Sequence, residues 1–490
     1  MNKPLRRIAI FCGLLVLTLL IRDNWLQYVK ADELRTDTDN RRVAIERYAT
    51  PRGDIIVDGK AITGHSTTSG DFKYKRTYKD GAMWAPVTGF VSQAYGANQL
   101  ENLEDGILTG NDDRLFFRNT LDMITGKAKE GGNVVTTLNS AAQKAAYEGL
   151  AKRGKGAVVA LEPSTGKILA LASYPSYDPG TIAGGSEADE KAWKALDKKN
   201  NPDDPMLNRA LREVYPPGST FKVLTAAAAL EDGLYDSADE KTDSPLPWTL
   251  PGTVTPLKNE GNIPCKNATL RVALQWSCNT VFGKIGYDLG NDKMLEEAKK
   301  FGFTEEQFTP VRSSASVFSE DMADSEVALS SIGQFNTAAT PLQMAMVASA
   351  VANDGVLMKP YMVDELQASN LDVIEKNDPT EYSRPMSAKT AQIVQSLMET
   401  VVEKGTGTTA QIDGGVTVGG KTGTAQHGEN NSKNPYAWFI SYAKLGDGSK
   451  PVAVAVVVED ESAVRENISG SGLAAPIAKS VMEAVINSKK

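Results

Sequence analysis

The stretch GGVTVGGKTGTAQ, Gly414–Gln426, contains a literal match to the phosphate-binding loop G-x-x-x-x-G-K-[ST], with Gly415, Gly420, Lys421 and Thr422 at the required spacing. A phosphate loop needs a strand that ends at the first glycine and a helix that opens at the Lys-Thr, so that backbone N–H groups face the anion. Here the β-branched Val416, Thr417 and Val418 lie between the glycines, and loop chemistry from His427 to Pro435 follows. The stretch reads as a strand carrying Lys-Thr-Gly-Thr near its end.

Working outward, YAWFISYA (436–443) and PVAVAVVVED (451–460) read as two further strands, and AAPIAKSVMEAVIN (474–487) as a helix with apolar residues three and four apart. Far upstream, NSAAQKAAYEGLAKR (139–153) reads as a helix capped by Asn139 or Ser140. GAVVALEPSTGKILALASY (156–174) gives two strands joined by a Pro-Ser-Thr-Gly turn. About five strands flanked by helices at both ends predict an α/β fold, its antiparallel sheet made of N- and C-terminal pieces. The segment from Asn200 to Asp413 is expected to be mostly helix and loop.

Within that segment, EVYPPGSTFKVLTAAAALEDG (213–233) predicts a helix opened by Ser219 and apolar on nearly every side, which belongs in the centre of a domain. Ser219 and Lys222 share one face of it, a nucleophile beside a possible base. The commoner fate of S-x-x-K is a capping serine and a solvated lysine. The two other matches lack helix geometry: Ser164 to Lys167 sits in a turn and Ser441 to Lys444 in a strand. LQWSCNTVF (274–282) adds Ser277 and Asn279 in an apolar context that buries polar side chains unless they are bonded. S-x-N alone is weak, since Ser432 to Asn434 also fits, but S-x-x-K, S-x-N and K-T-G in this order are the signature of penicillin-binding proteins and class A β-lactamases.

The chain has 490 residues, 41% hydrophobic and 23% charged, with a net charge of −8. This suits a globular protein of more than one domain and argues against nucleic acid as a partner, because no basic surface is there to release counterions. At the N-terminus Lys3, Arg6 and Arg7 precede an apolar run from Ile8 to Ile21, extended by Trp25, Leu26, Tyr28 and Val29, without an A-x-A-like cleavage site. An uncleaved signal anchor is expected: residues 1–7 a cytoplasmic tail, 8–29 a transmembrane helix, and the rest outside the cytoplasm. Residues 30–132 are read as a linker and an elongated, partly β pedestal, with a hairpin at Asp58-Gly59, and 133–490 as the catalytic domain. The Arg52-Gly53-Asp54 tripeptide is read as solvated charge in place of an adhesion motif.

Over nearly its whole length the chain resembles a class B penicillin-binding protein, close to the short type found in actinobacteria. The resemblance rests on the three motifs, the anchor, the R-G-x-I hairpin at Arg52, NRALREVYPPGSTFK and SSIGQFNTAATPLQMAMVASAVANDG; Gly59-Lys60 departs from the commoner Arg-Asn-Gly. It implies a penicillin-binding transpeptidase (β-lactamase-like) domain after a dimerisation-like pedestal, and a peptidoglycan D,D-transpeptidase that is acylated by β-lactams. Ser219 would attack the penultimate D-alanine of a stem peptide, neutral Lys222 would take its proton, Ser277 would relay a proton to the leaving group, and Asn279 would hold Lys222 and the substrate amide. Lys421, Thr422, Gly423 and Thr424 would bind the peptide and its terminal carboxylate, and the N–H groups of Ser219 and Thr424 would form an oxyanion hole. The resemblance also implies a polytopic glycosyltransferase partner of the shape, elongation, division and sporulation (SEDS) group, and a role in septation.

A Ser-His-Asp hydrolase has only His65 and His427 to draw on, both read as exposed loop residues, and no metal site or cofactor is expected. A β-lactamase or carboxypeptidase would need a deacylating Glu; Glu326-Val-Ala-Leu329-Ser330 comes nearest but lacks the Asn that would hold the water. A fused glycosyltransferase does not fit in the roughly one hundred residues ahead of Asn133. A silent sensor or wall scaffold is disfavoured by three intact motifs. Cys265 and Cys278, the cysteines outside the span, are predicted to pair in an oxidising compartment; separate thiols are the alternative.

Overall fold

The computed structural model describes residues 3–36, 41–115, 130–198, 200–449, 451–460 and 464–488. Helix α1 (Lys3–Asn24) continues into a π-helical turn over Trp25–Val29, and none of its residues is buried. Lys3–Tyr28 is long and apolar enough to cross a membrane.

After the anchor, strands β1 (Ile55–Val57) and β2 (Lys60–Ala61) form a hairpin through Asp58 and Gly59, both at positive φ (47° and 70°), as a two-residue turn that follows the strand twist requires. The Arg52-Gly53-Asp54 stretch is not solvated charge. Arg52 is buried, with Nη2 at 3.0 Å from Glu101 and Nη1 at 2.6 Å from Asp105, while Arg76 holds the other Glu101 oxygen at 2.6 Å. A buried glutamate between two guanidiniums keeps its charge compensated, so the arginine of the tripeptide is part of the pedestal's interior.

Strand β3 (Asn133–Thr136) runs parallel to β1. Helix α2 (Ser140–Ala151) follows, capped by Asn139, whose side chain accepts from the Ala142 N–H. Strands β4 (Lys155–Leu161) and β5 (Ile168–Tyr174) come next, then helices α3 (Lys222–Glu231), α4 (Asn279–Lys300) and α5 (Pro341–Ala352). The middle segment is not only helix and loop: it also supplies a hairpin, β6 (Val363–Gln367) and β7 (Val373–Lys376), that completes a second five-stranded sheet in the order β7-β6-β3-β1-β2. The chain closes with helix α6 (Ala388–Lys404), strands β8 (Val416–Ala425), β9 (Tyr436–Leu445) and β10 (Val452–Glu459), and helix α7 (Ala475–Asn487).

The main sheet is antiparallel in the order β8-β9-β10-β4-β5. Its period of two divides the core into two layers. Val452, Val454, Val456 and Val458 of β10 join α2 and α7 on one face, while Ala453, Ala455 and Val457 join α3, α5 and α6 on the other. Small alanines on that second face let α5 lie close to the sheet. Every residue of α3 from Lys222 to Leu230 is buried, which explains its all-round apolar sequence and puts a lysine in the domain centre. Strand β8 lies at the sheet edge, beside the turn that carries Ser219.

Candidate active site

Ser219 lies in a 3-10 turn, Gly218–Phe221, that feeds directly into α3. The turn is held from three sides. The Gly218 N–H donates to Gly333 O (2.9 Å), Trp438 Nε1 donates to Pro216 O (3.0 Å), and Thr220 Oγ1 donates to Pro217 O (2.7 Å). Gly333 has a φ of 75°, and a Cβ there would stand 2.1 Å from Gly218 O, so this close backbone approach needs glycine.

One turn on, Lys222 Nζ lies 3.0 Å from Ser219 Oγ, 2.8 Å from Ser277 O, 3.1 Å from Ser277 Oγ and 2.6 Å from Asn279 Oδ1. Burial pushes this amine well below the ordinary lysine range; the positive charge of Lys421 adds to the effect and Glu260 opposes it. A neutral amine has two N–H donors and one lone pair. With the donors on Ser277 O and Asn279 Oδ1, the lone pair is free to accept from the Ser219 hydroxyl.

Ser277 is held at a φ of 61°, a conformation an ordinary side chain rarely adopts, in the turn before α4. Its Oγ also accepts from Lys421 Nζ at 3.0 Å, so one hydroxyl bridges both lysines. Lys421 is buried on β8, donates to Thr422 O at 2.8 Å, and is pushed down to about 7 by burial, with Glu260 again opposing. Thr422 Oγ1 lies 2.6 Å from Thr406 Oγ1. Thr422, Gly423 and Thr424 line a cleft of about 140 Å³ together with Ser219 and Ser277. The three motifs thus converge on one cleft. Larger cavities exist, one of about 370 Å³ beside Arg114 and Phe308, but that one holds neither Ser219 nor Lys222 nor Lys421.

Cys265 and Cys278 form a disulfide with Cα atoms 5.6 Å apart and both residues fully buried. Cys278 sits between Ser277 and Asn279, so the bridge ties the S-x-N turn to the preceding loop. That loop is also fixed by Asn279 Nδ2, which donates to Lys258 O at 2.8 Å. Sequence reasoning missed Glu260, Ile263, Trp276 and Thr406, which complete the cleft lining. Trp276 adjoins S-x-N and could have been suspected from its place in an otherwise buried motif; Glu260 and Thr406 carry no local signal.

The histidines take no part. His65 is exposed but lies on a strand, Thr63–Thr67, and His427 is not a free loop residue either: it stacks on Tyr436 at 3.9 Å and its Nε2 lies 2.6 Å from Asn434 O. Glu326 caps its own helix, accepting from the Ala323 N–H at 2.9 Å. Among the described residues, no group of three or more His, Cys, Asp or Glu is placed to hold a metal ion.

Residues 156–483 match the family model for the penicillin binding protein transpeptidase domain, and residues 52–134 match that for the penicillin binding protein A dimerisation domain. The chain belongs to the penicillin-binding protein transpeptidase family. As a member of that family it is 40% identical over 497 residues to the peptidoglycan D,D-transpeptidase PbpA of Mycolicibacterium smegmatis, covering 99% of each chain. It is also 40% identical over 500 residues to PbpA of Mycobacterium tuberculosis, again over 99% of each. In structure, this penicillin-binding protein is similar to M. tuberculosis penicillin-binding protein A in its ceftriaxone acyl-enzyme complex, with a TM-score of 0.83 and 38% identity over 90% of this chain and 100% of that one. The penicillin G acyl-enzyme of the same protein aligns with a TM-score of 0.82 and 39% identity, over 89% of this chain and 100% of that one.

Proposed function

We propose that this chain is a peptidoglycan D,D-transpeptidase, a serine acyltransferase that cross-links stem peptides and is acylated by β-lactams. The observation that carries this reading is Lys222 Nζ at 3.0 Å from Ser219 Oγ, buried, with its N–H groups already engaged by Ser277 O and Asn279 Oδ1. Ser219 Oγ attacks the carbonyl of the penultimate D-alanine as its proton passes to Lys222. The N–H groups of Ser219 and Thr424 face the developing oxyanion. The proton returns through Ser277 to the leaving nitrogen, the C–N bond breaks, and D-alanine departs from an ester on Ser219. Lys421, in its ammonium form, and the Thr422 and Thr424 hydroxyls hold the terminal carboxylate. Gly423 leaves room for the peptide to lie along the edge of β8 as an added strand. In the second half, an amine of a neighbouring stem peptide attacks the ester, forming the cross-link and freeing Ser219.

The same reading assigns residues 1–7 to the cytoplasm, 8–29 to the membrane, 30–132 to the pedestal and 133–490 to an extracytoplasmic transpeptidase domain. The basic residues ahead of the apolar helix and the disulfide support that orientation. A SEDS-type membrane glycosyltransferase is the proposed source of the glycan, as the resemblance to class B penicillin-binding proteins implies. Peptide mapping by mass spectrometry after exposure to penicillin G tests the core of the proposal. An adduct on Ser219, lost in Ser219→Ala, is expected; an adduct elsewhere, or full labelling of Ser219→Ala, refutes it.

A further inference from the structure

Glu260 lines the same cleft as Ser219, yet among the described residues its carboxylate makes no hydrogen bond or ion pair. The loop that carries it is clamped on both sides. Ahead of it, Lys258 O accepts from Asn279 Nδ2 (2.8 Å), and the Asn259 side chain exchanges hydrogen bonds with Thr280, accepting from its N–H and donating to its Oγ1, both at 3.0 Å. Behind it, Cys265 is bonded to Cys278. An exposed glutamate would ordinarily sample solvent freely; this one is carried to the nucleophile's cleft by backbone fixed to the S-x-N motif. Its charge is felt there, since it opposes the effect of burial on both Lys222 and Lys421.

The donor half of the reaction does not call for this carboxylate. The donor's charged end is an anion, taken by Lys421 and the threonines of β8. The cationic participant is the acceptor, which arrives as a primary ammonium at a cleft whose neighbouring cation, the Lys421 ammonium held on Ser277 Oγ, would repel it. We infer that Glu260 is the acceptor-binding residue, receiving the primary ammonium of the neighbouring stem peptide beside the Ser219 ester. This rests on the transpeptidase reading above and deepens it.

The ammonium docks on Glu260 and loses one proton to solvent along the exposed side of that residue. The neutral amine then attacks the ester carbonyl, forming the C–N bond, and its second proton passes to Lys222. As the C–O bond to Ser219 breaks, Lys222 returns that proton to Ser219 Oγ. Atoms and charge balance, and the enzyme ends as it began.

The test is a partition experiment on the full-length detergent-solubilised protein, with a D-alanyl thioester as donor and D-alanine and methanol as competing acceptors. The ratio of amide to methyl ester is fixed after acylation and so does not depend on the acylation rate. In Glu260→Gln this ratio is expected to fall about tenfold, the scale of one hydrogen bond to a charged group, with partial recovery in Glu260→Asp. Methanol, being uncharged, serves as the internal control for folding. An unchanged ratio in Glu260→Gln, with the parent enzyme forming amide, overturns the inference alone. A higher ratio, with slower loss of the ester to water, overturns it too and makes Glu260 a water-activating base. Absence of amide from the parent enzyme overturns the transpeptidase reading along with it.

Discussion

Replacing Lys421 by Met removes a positive charge next to Lys222, the proposed base, and leaves an unbranched side chain one atom shorter. Both lysine Nζ atoms lie against Ser277 Oγ, at 3.1 Å for Lys222 and 3.0 Å for Lys421. They are therefore about 6 Å apart at most, and at an effective dielectric of about 20 two unit charges at that distance repel by ~3 kcal/mol. Below about 7, where Lys421 is an ammonium, that repulsion favours neutral Lys222. Burial, the larger cause, survives the substitution; the charge does not. The Lys222 ammonium form is therefore favoured more strongly in Lys421→Met, and the neutral base appears only at higher pH. The expected result is that the ascending limb of the acylation rate moves up by about two pH units. At a pH below both limbs this is roughly a hundredfold loss of rate, recoverable by raising the pH. Loss of carboxylate binding adds a pH-independent factor and removes the parent enzyme's decline above about 7. Second-order acylation rates with a fluorescent penicillin, measured across the pH range, separate the two effects. If the variant keeps the parental ascending limb and is only uniformly slower, Lys421 does not set the protonation of Lys222, and the reasoning fails.

Lys222→Arg is expected to acylate as slowly as Lys222→Ala, because a guanidinium does not give up its proton at any working pH; near-parental rates in the Arg variant would mean that the base lies elsewhere. Replacing Cys265 and Cys278 together by Ala opens a loop closed over a sequence separation of 13. By loop-closure entropy this costs about 3 kcal/mol, to be read from denaturant midpoints, and a loss under about 1 kcal/mol would contradict the estimate. Gly470→Ala puts a Cβ 2.1 Å from Trp438 O and 2.9 Å from the Gly423 N and O atoms. It should lower stability by at least ~2 kcal/mol and slow acylation by shifting β8, whereas Gly185→Ala, with open space around its Cβ, should do neither.

The main sheet was legible because its strands are long and written in uninterrupted apolar residues, as in Val452–Val458, and because Asn139 and the Pro-Ser-Thr-Gly turn punctuate them. The hairpin Val363–Gln367 and Val373–Lys376 was not. Its sequences, VDELQ and VIEK, are half polar, and what makes them strands is β3, more than two hundred residues earlier in the chain. The same contrast holds in the site. Ser219 with Lys222, and Ser277 with Asn279, are close in sequence, and helix spacing or motif order exposes them. Glu260 and Thr406 reach the cleft on loops, and only tertiary structure brings them there. Local pattern also misjudged Arg52, because a charged residue beside a hairpin gives no hint that Glu101 and Asp105 wait for it inside the pedestal.

The small sheet has a consequence for how this chain is made and cut. Its strand order β7-β6-β3-β1-β2 interleaves an early part of the chain, residues 55–61 and 133–136, with residues 363–376. During synthesis the first two strands must wait, and the sheet closes only when most of the catalytic body has been made. A shortened protein beginning at residue 156, where the transpeptidase family match starts, would keep β6 but discard β3, β1 and β2. That would leave β6 with a bare row of N–H and C=O groups, a template for pairing with another copy. Truncations intended for crystallisation or screening should therefore retain the chain from Ile55 onward, even where only the acyl-transfer cleft is wanted.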